Sequence, residues 1–111
     1  SPLGDVKTVK SSTSTTQIVS KQVADKIKAL MVEVIRNGTG TAAAINGIEV
    51  AGKTGSAENP HGRAHAWFIG FAPAQNPEIA LAVIVENAGS GGAVAGPIAR
   101  DVILQYLNSL K

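Results

Sequence analysis

The chain predicts an α+β fold: an antiparallel sheet of three main strands plus a small hairpin, with a helix in the N-terminal half and a C-terminal helix. Three observations lead there. Val23, Ile27, Leu30, Met31, Val34 and Ile35 recur at the helical period, as do Ile98, Val102, Ile103, Leu107 and Leu110. Between these stripes, residues 65–72 and 79–85 are rich in β-formers, and Ile48-Glu49-Val50 opens a third such run. Only short connections separate the runs, which excludes parallel crossovers and leaves a meander.

Residues 1–19 are polar and poor in periodicity, a loop or short strand. Pro2-Leu3-Gly4-Asp5 reads as a turn and residues 6–9 as a short exposed strand. The hydroxyl-rich residues 11–16 read as solvated loop, with no base spaced to activate them. The first helix is expected over 20–37, capped by Ser20, with its apolar stripe read as core. Arg36-Asn37-Gly38 supplies a C-terminal cation and a left-handed stop. Strands are expected within 42–87. Asn46-Gly47 is a two-residue turn signal that folds residues 42–45 back on 48–50 as the hairpin. Residues 59–63 break the next strand, and Asn76-Pro77 marks the following turn. Residues 79–85 are apolar on both faces, so helical cover is expected on each side. The final helix, expected over 93–110, follows a glycine-rich loop and has Pro97 in its first turn.

Composition narrows the function. A chain of 111 residues is one small domain or a piece of a larger one. Apolar residues make up 44% and charged residues 16%, lean for a free-standing surface. A net charge of +2 with no Lys/Arg run, and aromatics limited to Trp67, Phe68, Phe71 and Tyr106, argues against nucleic acid. The absence of cysteine excludes disulfides and thiolate metal sites. No run of 18 apolar residues occurs, and residues 1–20 lack a signal-peptide pattern, so this stretch neither spans nor addresses a membrane by itself.

The stretch Val50-Ala-Gly-Lys-Thr-Gly-Ser-Ala-Glu58 carries the chemistry. If it is extended, Lys53 and Gly55 share one face of the sheet and Thr54 and Ser56 the other. A glycine beside the lysine leaves room for a ligand lying flat against the strand, and an edge strand adds free N–H donors. A cation, hydroxyls and free N–H groups suit a carboxylate next to a carbonyl, a rail for an anionic acyl substrate. Three other chemistries compete. Gly47–Thr54 matches the G-x-x-x-x-G-K-[ST] phosphate loop, but Gly55, Asn59, Pro60 and Gly62 forbid the helix that must follow the lysine. His61 and His65 have a metal-ligand spacing only on a helix, and Pro60 and Gly62 make this a loop. A triad of Ser56, His65 and Asp101 lacks a nucleophile-elbow pattern around the serine.

The rail, with His65-Ala-Trp-Phe-Ile-Gly-Phe-Ala-Pro73, Gly91-Gly92 and Pro97-Ile98-Ala99-Arg100, resembles the end of a penicillin-binding transpeptidase domain, part of a serine β-lactamase/transpeptidase-like fold. The helix ending in Arg36-Asn-Gly-Thr-Gly-Thr41 resembles the segment before the K-T-G strand there. Ala57-Glu58 and Phe71-Ala-Pro-Ala-Gln75 are more similar to the monofunctional class B enzymes. The resemblance implies acyl transfer on peptidoglycan stem peptides ending in D-Ala-D-Ala, covalent inhibition by β-lactams, and no cofactor. It implies Lys53 in the catalytic hydrogen-bond network, with its charge facing the substrate carboxylate. Ser56 then offers its hydroxyl to that carboxylate and its N–H to the oxyanion hole, while Thr54 and Gly55 shape the strand. Strict alternation sets Lys53 and Ser56 on opposite faces, so a twist or bulge is expected to bring both to one ligand. The family's S-x-x-K nucleophile and S-x-N hydroxyl occur nowhere in these residues. The chain is therefore expected to be the C-terminal portion of such a domain and inert alone. Its expected partners are the missing portion, stem peptide, β-lactams and, for the isolated piece, another copy. The implied location is the extracytoplasmic face of the bacterial membrane, through an anchor outside this chain. The alternative is a non-catalytic binding or regulatory module on the same sheet.

Overall fold

The computed structural model describes residues 14–111. The expected turn at residues 2–5 and strand at 6–9 lie outside them. Helix α1 spans Lys21–Asn37, and Ser20 caps it by accepting the Val23 N–H at 3.2 Å. One turn in, the Lys21 amine donates to Asp25 at 2.8 Å, and that bond raises the amine's pKa and lowers the carboxyl's. At the other end Gly38 has φ −104°, so the expected left-handed stop is not formed. The N–H groups of Gly38 and Gly40 both turn back to the Val34 carbonyl instead.

The expected hairpin shrinks to its turn. Gly47 takes φ +80° and Ile45 bridges Ile48, but Thr41–Ala43 winds into a single 3-10 turn. Burial decides this: Ala43 is fully enclosed, in one cluster with Val50, Ala95 and Ala99. Strands β1 (Ala51–Ala57), β2 (His65–Ala72) and β3 (Ile79–Val85) then form an antiparallel meander in the order β1-β2-β3. A π turn at Gly91–Ala95 leads into helix α2, Gly96–Ser109.

Cross-strand register assigns the faces. Thr54, Phe68 and Val83 lie side by side, as do Gly52, Gly70 and Leu81, and this face packs on Ala99 and Ile103 of α2. Phe68 fills its middle, its ring lying over the paired Gly52 and Gly70. The opposite face carries Lys53, Trp67, Ile69 and Ile84, and among the described residues is covered only at its Ala51–Phe71 end, by Met31 and Val32 of α1. The cover expected on both sides of β3 is therefore absent among the described residues: Ala80, Ala82 and Ile84 are exposed while Ile79, Leu81, Val83 and Val85 meet the core.

The helices correct the stripe readings in the same way. Val23, Ile27 and Leu30 are 44%, 48% and 68% exposed, so only the C-terminal half of the α1 stripe is core. At 17 residues α1 is roughly 25 Å long, and its buried contacts, through Val32 and Ile35, fall in its C-terminal half. On α2 the buried line runs through Ala99, Ile103 and Leu107, because the small Ala99 lets the helix settle close to the sheet. Ile98, Val102 and Leu110, expected in that stripe, face outward. A polar clamp completes the frame: Arg36 pairs with Glu49, which also accepts from Gln75 at 2.8 Å.

A Cβ at Gly52 would stand 2.4 Å from Phe68 Cζ, and one at Gly70 2.6 Å from the Ala51 carbonyl oxygen. Gly52→Ala and Gly70→Ala are each expected to lower the unfolding free energy by about 1–3 kcal/mol in urea denaturation.

Candidate functional site

Lys53, Thr54, Gly55 and Ser56 lie consecutively in β1, which pairs with β2 on one side and has no strand on the other among the described residues. An edge strand directs alternate N–H and C=O groups outward. The structure thus gives an extended strand at the sheet edge; α1 and the turn after it pack on its first half, and no strand pairs with that margin among the described residues.

The side chains divide between two faces. Lys53 stands on the open face, exposed, and its Nζ curls back to donate to the Thr54 carbonyl at 2.6 Å. Thr54 points into the helix-covered face, 8% exposed, and its hydroxyl shares a hydrogen bond of 2.6 Å with that of Thr39. That pair ties β1 to the turn following α1. Ser56 shares the face of Thr54 but lies at the exposed end of the strand, where its Oγ accepts the Gly91 N–H at 3.2 Å. Pairing with β2 is continuous from Ala51 to Ala57, without a bulge, so the Lys53 amine and the Ser56 hydroxyl do not converge on one face.

Gly55 differs from its neighbours. Among the described residues a Cβ there would meet only Trp67 Cβ, at 3.6 Å, an ordinary contact, whereas Gly52 is compelled to be glycine by Phe68. Nothing in the described fold requires the gap at Gly55. Behind it, the contact is tight: a Cβ on Gly91 would stand 2.2 Å from the Gly55 carbonyl oxygen, and one on Gly92 2.3 Å from that of Thr39. The loop entering α2 therefore lies flat on the inner side of β1. Thr39 and Gly91 were not assigned site roles from sequence; the Gly91-Gly92 doublet was the only signal that backbone must approach backbone here.

The competing chemistries lack their geometry. Lys53 sits in mid-strand and Thr54–Ala57 continue extended, so no helix opens on a phosphate. His65 is on β2, its Nδ1 accepting the Asn87 N–H at 3.1 Å, while His61 lies in the preceding loop. Among the described residues no three potential metal-ligating side chains gather. Ser56, His65 and Asp101 are engaged with Gly91, Asn87 and Arg100 respectively. A hollow lies at the opposite end of β1, lined by Ile35, Ile45, Glu49 and Pro73 and not by Lys53.

Comparison with known proteins agrees with this frame. A family model described as the penicillin binding protein transpeptidase domain matches residues 3–104. The peptidoglycan D,D-transpeptidase PbpA of Mycobacterium tuberculosis is 48% identical over 96 residues, 77% of this chain and 19% of that protein. The probable peptidoglycan D,D-transpeptidase PenA of Neisseria flavescens is 38% identical over 108 residues, 85% of this chain and 26% of that protein. The D,D-transpeptidase domain of a peptidoglycan glycosyltransferase from Eggerthella lenta superposes with a TM-score of 0.81 at 40% identity, covering 94% of this chain and 24% of that one. Penicillin-binding protein A from M. tuberculosis, solved as an imipenem acyl-enzyme complex, gives 0.70 at 46% identity over 80% of this chain and 20% of that one. The chain thus spans between 19% and 26% of the length of these relatives.

The Thr39–Thr54 bond sets the inner side of the rail. In a double-mutant cycle of Thr39→Val and Thr54→Val, read by urea denaturation, a coupling energy of about 1 kcal/mol is expected. A coupling near zero would mean that the two hydroxyls do not hold the strand.

Proposed function

Since this chain belongs to the penicillin-binding protein transpeptidase family, as part of a class B transpeptidase domain, we propose that β1 is the substrate-binding strand of a peptidoglycan D,D-transpeptidase. The observation that carries the reading is the margin of β1 that no strand pairs with among the described residues, with an exposed amine at Lys53 and an uncompelled glycine at Gly55. A stem peptide ending in D-Ala-D-Ala lies along that margin, extended and paired with the outward backbone groups of β1. A Cβ at position 55 would lift it off.

The chemistry divides between this chain and the remainder of the domain. A serine outside these residues attacks the penultimate D-Ala carbonyl, D-Ala leaves, and the amine of a second stem peptide resolves the acyl-enzyme to form the cross-link. Lys53 supplies positive potential toward the terminal carboxylate and joins the hydrogen-bond network around the nucleophile. The Ser56 N–H serves the oxyanion that forms on the attacked carbonyl. Its hydroxyl still has a proton to donate while accepting from Gly91, so it can hold the carboxylate from the strand's end. β-Lactams enter the same rail with their own carboxylate and amide, and acylate the same serine. In the isolated chain the apolar part of the open sheet face, with Trp67, Ile69 and Ile84 each 40% or more exposed, is left for another copy; in the complete protein the rest of the domain covers that part and leaves the Lys53–Gly55 edge to substrate. The active domain works outside the cytoplasmic membrane, held by an anchor elsewhere in the protein.

A fluorescent penicillin is expected to label the complete protein covalently and to leave this isolated chain unlabelled; an adduct on the chain alone contradicts the division of labour. Failure to label the complete protein would favour a non-catalytic module on the same sheet. In the complete protein, Lys53→Ala is expected to slow acylation on the order of a hundredfold. Gly55→Ala separates site from fold: unfolding free energy stays within about 0.5 kcal/mol of the parent, while acylation slows by about tenfold or more. Unchanged acylation in Gly55→Ala would remove the reason for reading that gap as substrate space.

A further inference from the structure

β1 ends at Ala57, one residue beyond Ser56, and pairing with β2 is not all that fixes that end. Residues 58–64, which connect β1 to β2, lie against residues 86–91, which lead from β3 to the π turn. Asn87 is at the centre of the contact. Its backbone is left-handed, φ +55°, a conformation asparagine adopts more readily than most residues. Its side-chain oxygen accepts from the Asn59 amide, and its N–H donates to His65 Nδ1 at 3.1 Å. Asn59 spreads the tie along its own loop, donating to the Arg63 carbonyl at 3.3 Å and accepting the His61 N–H at 3.1 Å. Further on, Gly89 N–H donates to the Ala64 carbonyl at 2.8 Å, and Gly91 N–H to Ser56 Oγ at 3.2 Å.

The two loops touch closely. A Cβ at Gly62 would meet Asn87 Oδ1 at 3.2 Å, and one at Gly89 would meet the Arg63 guanidinium at 2.9 Å. None of this contact buries a large apolar side chain, so it adds little to the core. It joins the residues that leave β1 to the 86–91 segment, whose Gly91 N–H meets Ser56.

We propose that Asn87 is a positioning residue for the substrate-binding strand: by clasping residues 58–64 to residues 86–91 it sets Ser56, hydroxyl and N–H together, relative to Lys53. This role rests on the transpeptidase reading of β1. Asn87 touches no substrate and acts through Ser56.

The test uses the complete protein and a fluorescent penicillin, separating the initial binding constant from the first-order acylation step. Asn87→Ala lowers the acylation step by about ten- to hundredfold with a smaller change in initial binding. Asn87→Asp, which keeps an acceptor oxygen and tolerates the left-handed backbone, recovers most of the loss. Asn59→Ala, which removes the partner from outside and leaves Asn87 in place, moves the same step in the same direction and stands in if Asn87→Ala does not fold. Hydrogen exchange of the amides in residues 57–64 quickens in both alanine variants. Parental acylation in the alanine variants, or equal losses in Asn87→Ala and Asn87→Asp, would overturn the role. An unlabelled parent protein removes the transpeptidase reading and this role with it; a labelled parent with unchanged variants removes this role alone.

Discussion

The close approach of Gly91 to Gly55 is the constraint on which the rest of the molecule depends. A methyl group on Gly91 would stand 2.2 Å from the Gly55 carbonyl oxygen, well inside van der Waals contact. Backbone lying on backbone leaves no space for a ligand on that side of β1. It also delivers the Gly91 N–H to Ser56 and sets the start of α2, whose Ala99 and Ile103 then close the core over Phe68. With the inner face sealed, a ligand can approach β1 only along its margin and its outer face. Those are the surfaces on which Lys53 and the gap at Gly55 are found.

Much of this was legible in the sequence, for reasons that differ by element. β2 and β3 were found to the residue because β-former runs bounded by Pro60-His61-Gly62 and Asn76-Pro77 leave little freedom. The meander followed from connections too short for a crossover. The Asn46-Gly47 turn was also readable, but the arms of its hairpin were not, because burial of Ala43 under α2 outweighs what a short pair of strands gains. The helical stripes were correctly periodic and wrongly assigned: Val23, Ile27 and Leu30 were read as core and are exposed. Periodicity reports that a face is apolar, not which partner covers it. In a chain that spans about a quarter or less of its relatives' length, part of every such face is left uncovered.

The site divides in a similar way. Lys53, Thr54, Gly55 and Ser56 were marked from local residue types, and alternation set the amine and the serine hydroxyl on opposite faces, as the unbroken register has them. Of the twist or bulge expected to reunite them, no bulge forms. In the proposed reading, convergence falls to the Ser56 N–H and to the exposed end of the strand, where its hydroxyl lies. Thr39, Asn59 and Asn87 had no such local signal. Their partners are 15 and 28 residues away in the chain, and only the folded meander brings them together.

The most direct measurement is a crystal structure of the complete protein acylated by a penicillin. The acyl carbonyl oxygen is expected about 2.7–3.1 Å from the Ser56 main-chain N–H, with the drug laid along the margin of β1 across Gly55 and its carboxylate toward Lys53. An adduct whose acyl group sits away from β1, or on the inner face against Gly91, would contradict the account.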